Sequence, residues 1–203
     1  MCKMLLTSNG FYTEAIKRKF LSVLPKPPSD ISAVIITTAS LEKESSKSAI
    51  KAKRDLVEMD IAYVAFFDFE YENPKVLEAY DVIFLNGGNP LLLLDRMKKS
   101  GGVQVLRKLA QQETIFIGAS AGAMVLGGTI ELADLFAPEL NTPKLTNFNA
   151  LNLADILLFP HYDREDLFPD EAGRTIEERI TEFESRKRVA VARLKDEDYL
   201  LVD

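Results

Sequence analysis

Cysteine and histidine are nearly absent from this chain, with one of each in 203 residues. The single cysteine, Cys2, excludes an internal disulfide and any cysteine-based metal cluster. Its place beside Met1 reads as a surface or terminal thiol rather than a nucleophile. The single histidine, His161, excludes a histidine-rich zinc site. Positive charge is also in short supply: 25 Lys and Arg against 31 Asp and Glu leave a net charge of −6. A nucleic-acid partner normally shows as a basic patch or stripe, so none is expected. No apolar run approaches the ~18 residues of a membrane span. The N-terminal "MCKMLLTSNG" lacks the longer apolar region and small-residue cleavage site of a secretory leader. Neither G-x-G-x-x-G nor G-x-x-x-x-G-K-[ST] occurs, which removes two nucleotide-binding fingerprints. The expectation is a cytoplasmic protein without metal, cofactor, nucleic acid or membrane, a monomer or small homo-oligomer.

What is present is an alternation of short apolar runs with longer amphipathic ones. Its length suits one domain with a sizeable core, spanning residues 1–203. Strands are expected at 3–8, 33–39, 61–67, 81–88 and 114–118, with apolar runs again at 156–163, 189–194 and 199–203. Helices are expected between them. The first, 13–24, places Ala15, Ile16, Phe20, Leu21 and Leu24 on one face, and "PKPPSD" ends it because proline removes a donor. The others fall at 45–60, 89–101, 102–112 and 171–187, with 89–101 opening on Asn-Pro and closing on Gly. Continuous apolar strands alternating with helices predict an α/β fold: a mostly parallel sheet with helices on both faces, a three-layer sandwich. In such folds sites form beyond the carboxyl ends of strands. Three motifs fall there: "LNGGNP", "GASAGA" and "PHYD".

"GASAG" (118–122) matches G-x-S-x-G, the strand-to-helix elbow that holds a serine in a strained, exposed conformation. Very small neighbours are needed because the turn crowds them, and Ala119 and Ala121 satisfy that. The helix that follows offers its first amides, above all that of Ala121, to an oxyanion. A serine nucleophile needs a base of near-neutral pKa, and His161 is the only imidazole in the chain. A carboxylate should orient the ring. Asp134 lies between serine and histidine, while Asp155, Asp163 and Glu131 are rivals, and spacing leaves the choice open. The glycine pair of "NGGNP" (86–90) can turn a second backbone amide into the site.

Taken together, "NGGNP", "IGASAGAMVLGGTI", "FPHYD" and "GRTIEERI" (173–180), in that order, resemble the aspartyl dipeptidases, or peptidase E, and their cyanophycinase relatives. The resemblance covers nearly the whole chain and implies a fold like the class I glutamine amidotransferases. It implies a serine peptidase acting on short peptides, with Ser120 the nucleophile, His161 the general base and Asp134 the acid. The amides of Gly88 and Ala121 take the oxyanion role, and no cofactor is implied. Two features depart from the family. Asn86 precedes only two glycines and Pro90 follows Asn89, and Ile176 stands where the dipeptidases tend to carry an arginine suited to an acidic substrate. Should the preference for an N-terminal aspartate be kept, Arg174 or Arg179 must meet it, and Arg174 lies nearer the loop. An esterase or amidase with the same triad, or a binding domain that has kept the elbow without turnover, are the alternatives.

Overall fold

A computed structural model of the chain describes residues 2–202. Eight strands form among them: β1 (Met4–Thr7), β2 (Ser32–Ile36), β3 (Tyr63–Phe67), β4 (Val82–Leu85), β5 (Ile115–Ala119), β6 (Leu157–Phe159), β7 (Val191–Arg193) and β8 (Tyr199–Val202). Six of them make one sheet in the order β3-β2-β4-β5-β1-β8. All its pairings are parallel except that of β8, which runs antiparallel along β1. Strands β6 and β7 form a separate parallel pair.

Strand side chains alternate between the two faces, and the buried residues divide accordingly. Leu5, Ile35, Phe84 and Ile117 join one core with Ile16 and Phe20 of α1 (Glu14–Val23) and Leu56 of α2 (Lys47–Glu58). Their neighbours in sequence, Leu6, Ile36, Leu85 and Phe116, join the other. That second core takes in α3 (Pro90–Ser100), α4 (Gly102–Leu109), α5 (Ala121–Leu126), α6 (Glu131–Phe136) and α7 (Ile176–Lys187). Both faces of the central strands are thus covered, which is why those strands read as unbroken apolar runs. No helix among the described residues is long and apolar enough to cross a membrane.

The helix ends follow local chemistry. Thr13 and Ser46 cap α1 and α2 by accepting from the Ile16 and Ala49 amides. The face of α1 is Ile16, Phe20 and Val23, and the expected Ala15 and Leu21 are exposed. Helix α7 starts five residues later than expected. Thr175 and Glu178 form a reciprocal capping box that sets its start, and Gly173 turns the preceding chain at φ 70°. Arg174 therefore lies before the helix, not on it. Cys2 is buried rather than a surface thiol: its Sγ donates to the Thr114 carbonyl at 3.1 Å.

Candidate active site

Loops leaving β1, β4, β5, β6 and β7 converge beyond the strand ends, where parallel sheets place their sites. From β5 the chain passes directly into α5 through Ser120, which sits at φ 50°, ψ −111°. Few L-residues adopt such a backbone, and it persists only where the surroundings over-determine it. Here they do. The Ser120 amide donates to the Thr7 carbonyl at 3.0 Å, and its carbonyl accepts from the Met124 amide at 3.1 Å. A Cβ on Gly122 would stand 2.0 Å from the Leu85 carbonyl oxygen, so only glycine lets α5 lie this close to β4. The density of small residues in "GASAGA" is thus a packing requirement of the elbow.

The Ser120 Oγ lies 2.9 Å from His161 Nε2. The imidazole reaches it from the loop after β6, with its own backbone at φ 57°. Its other nitrogen, Nδ1, is 2.5 Å from Asp196 Oδ1. Donation from Nδ1 to the carboxylate fixes the tautomer in which Nε2 accepts the serine proton. The carboxylate on the histidine is therefore Asp196, in the turn between β7 and β8, and not Asp134. Asp134 lies on α6, where Oδ1 accepts from Asn141 Nδ2 at 2.8 Å. That bond holds the loop after α6, whose Leu145 amide Asn141 also binds.

The rival Asp163 has a supporting place: its Oδ1 accepts from the Asp196 backbone amide at 3.1 Å. Arg164 Nη1 donates to Asp196 Oδ2 at 3.4 Å. Pairing first with Asp166 and then with Asp196 pushes the Arg164 guanidinium above its ordinary value. Fully buried Ser8, after β1, joins the two halves. Its hydroxyl accepts from the His161 amide at 2.5 Å and faces Asp196 Oδ1 at 3.5 Å. The β6 and β7 loops are laced together by the Tyr162 amide donating to Leu194 and the Leu194 amide donating to Phe159.

Asp196 and Ser8 escaped the reading of the sequence. Asp196 had a signal, since "LKDED" follows an apolar run as a strand-end loop should. Ser8 had none.

A cavity of about 270 Å³ opens beside Ser120 and His161, lined in part by Asn86, Gly87 and Gly88. Gly88 adopts φ 137° and passes so close to Ala39 that a Cβ would meet its carbonyl oxygen at 2.4 Å. Gly87 is the glycine next to the serine: a Cβ there would touch the Ser120 Cβ at 3.4 Å. Ala121 opens α5, so its amide has no helical carbonyl to bind. Arg174 does not line this cavity. It pairs with Asp170 at 3.1 Å and Glu182 at 3.0 Å, and its hydrogen bonds pull the Asp170 carboxyl down to about 2. Arg179 is buried elsewhere, its guanidinium 3.8 Å above the Phe136 ring and donating to the Phe168 and Leu135 carbonyls. Neither arginine is in the cavity wall, and the cation there is Lys51.

Comparison with known proteins bears on this arrangement. A family model described as peptidase family S51 matches residues 4–203. An uncharacterized peptidase of Pasteurella multocida is 34% identical over 82 residues, covering 40% of this chain and 40% of that protein. An uncharacterized peptidase of Listeria monocytogenes is 31% identical over 121 residues, 59% of this chain and 57% of the relative. The peptidase E of Pasteurella multocida is 28% identical over 145 residues, 71% of this chain and 59% of its own. The matches thus span about half the length of these curated relatives. Among solved structures, a Listeria monocytogenes peptidase E candidate superposes with a TM-score of 0.76 at 21% identity. That match covers 100% of this chain and 98% of the other, and it shows a common fold.

Proposed function

The chain belongs to peptidase family S51, and on that premise we propose a serine peptidase that cleaves short peptides through an acyl-enzyme on Ser120. The observation that supports this most is the line of Ser120 Oγ, His161 and Asp196, with contacts of 2.9 and 2.5 Å, at a strained elbow. In this reading the Ser120 oxygen attacks the peptide carbonyl while His161 Nε2 takes its proton. Asp196 keeps the ring oriented and stabilises the imidazolium. The amides of Gly88 and Ala121 receive the charge that develops on the carbonyl oxygen. The imidazolium then protonates the leaving amine, and a water activated by the same nitrogen hydrolyses the ester.

Short peptides are proposed because the loops leave only a small cavity, about 270 Å³, beside Ser120. Selectivity for an N-terminal aspartate is not part of the proposal, since Arg174 is engaged with Asp170 and Glu182. The test pairs a small fluorophosphonate with a panel of dipeptides and acyl esters. The expected result is stoichiometric labelling that Ser120→Ala abolishes, together with dipeptide hydrolysis. An unlabelled wild-type protein would leave a binding domain, and ester cleavage without any peptide cleavage would leave an esterase.

A further inference from the structure

On α2 the side chains of Ser48, Lys51, Ala52 and Asp55 recur at spacings of three and four, so they share one face, and all four line the cavity that holds Ser120. The face is fixed in place at both ends. Ser48 Oγ accepts from Asn86 Nδ2 at 2.9 Å, tying the helix to the glycine loop beside the serine. Lys51 Nζ donates to Asp55 Oδ2 at 2.5 Å and to the Phe11 carbonyl at 3.1 Å, tying it to the loop after β1. An ammonium carries three N–H groups, and these two contacts use two of them. The Asp55 side chain is only 4% exposed whereas that of Lys51 is 41% exposed. Both side chains line the cavity, and Lys51 is much the more exposed of the two.

Charge decides what such a group can take. Lys51 is already neutralised by Asp55. The other Asp55 oxygen has Lys17 at 3.9 Å, and Lys17 is itself paired with Glu14 at 3.0 Å. Asn9, Ser40, Ser48 and Asn86 add polar but uncharged groups to the lining. A ligand carboxylate would bring a second negative charge beside a buried one and lose its own hydration. An aliphatic side chain would strip water from the remaining Lys51 N–H and give it no acceptor. An amide or hydroxyl oxygen satisfies it without either cost.

We propose that this face of α2 is a side-chain subsite, taking a peptide residue that presents a neutral hydrogen-bond acceptor to Lys51; that the ligand is a peptide rests on the peptidase reading above.

Calorimetric titration of the Ser120→Ala protein reads the subsite without turnover. The ligands are Gln-Ala, Glu-Ala and Leu-Ala, and the reversed set Ala-Gln, Ala-Glu and Ala-Leu. In one of the two sets glutamine should bind about fivefold to tenfold more tightly than both near-isosteres, the worth of one good hydrogen bond. Adding Lys51→Met should bring glutamine and leucine level. Because that change leaves Asp55 only the more distant Lys17, the Lys51→Met, Asp55→Asn double variant serves if the single one does not fold. Equal binding of glutamine and leucine, tighter binding of glutamate, or a preference that survives loss of Lys51 would overturn the proposal. Selective binding with no cleavage by the wild-type protein would sink the peptidase and leave the subsite. Cleavage without selectivity would do the reverse.

Discussion

Ser120 and His161 both sit on left-handed backbone, at φ 50° and φ 57°, but different forces hold them there. Ser120 keeps its backbone bonds to Thr7 and Met124, but what sets it apart is close packing. The chain around it is reduced to glycine and alanine, because a single added carbon on Gly122 would overlap the Leu85 carbonyl. His161 has Pro160 before it and Tyr162 after it, neither of them small. Hydrogen bonds from far away hold it: its amide donates to Ser8, 153 residues distant, and its ring meets Asp196, 35 residues on. A strained residue enforced by sterics marks its own neighbourhood in the sequence. One enforced by long-range hydrogen bonds does not.

The largest test of this contrast lies at the carboxylate. Asp196→Asn should lower kcat by about 10⁴, because an amide no longer selects the tautomer in which Nε2 accepts the serine proton. Asp134→Asn should leave kcat within about twofold, since its partner Asn141 can still be held by the amide oxygen. Steady-state kinetics on the two variants decide between them. Equal losses would mean that α6 reaches the site in solution by a movement absent here.

The same contrast explains what could be read in advance. The parallel sheet, the elbow and the glycine loop after β4 were legible because each imposes a local pattern: unbroken apolar runs, G-x-S-x-G, and a glycine pair. His161 was legible by elimination, being the only imidazole. The resemblance implies Asp134, spacing leaves Asp155, Asp163 and Glu131 beside it, and Asp196 is in neither set. The β6–β7 pair instead brings together two loops, and hence two residues 35 apart, that no local pattern links. Arg174 lies off the expected helix for a related reason. Its place on a helix was inferred from amphipathic spacing, whereas the Thr175 capping box starts α7 beyond it.

Next in size is the packing side. Gly122→Ala should cost about 3 kcal/mol, at the upper end of overpacking effects, since α5 must move off β4 to admit the methyl group. Chemical denaturation measures it, and a loss under about 1 kcal/mol would mean that the elbow is softer than its backbone suggests.

The hydrogen-bonded side predicts a smaller effect with a different signature. Ser8→Ala removes the acceptor of the His161 amide and the hydroxyl beside Asp196. The ring should wander from the serine, lowering kcat about tenfold while KM holds, as for any group that orients a base without touching substrate. Ser8→Thr keeps the hydroxyl and should recover most of the rate. A parallel rise in KM, or no rescue by threonine, would make Ser8 a packing residue only.

The smallest effect is one of pH, and it separates the two halves most directly. Arg193 of β7 pairs with Glu177 and Glu184 of α7 at 3.0 and 2.6 Å, so these ion pairs help to set the strand that leads to Asp196. Hydrogen bonds from Arg193 hold both glutamates below their ordinary 4.5. A carboxylate depressed on folding contributes stability that is present in full above its unfolded value and is lost as pH falls through the folded one. The loss should therefore begin near pH 4.5 and grow below it, and it should be modest, because partly exposed pairs contribute only about 0.2–1 kcal/mol each. The β5–α5 elbow has no ion pair of this kind to lose. Amide hydrogen exchange through this range should show Tyr162 and Leu194, which lace the β6 and β7 loops, losing protection before the Ser120 and Met124 amides do. Arg193→Met should shift the β6–β7 amides to the weaker protection already at neutral pH and flatten their response to acid. Uniform loss of protection at all four amides would show that packing and hydrogen bonding hold the two strained residues as one cooperative unit.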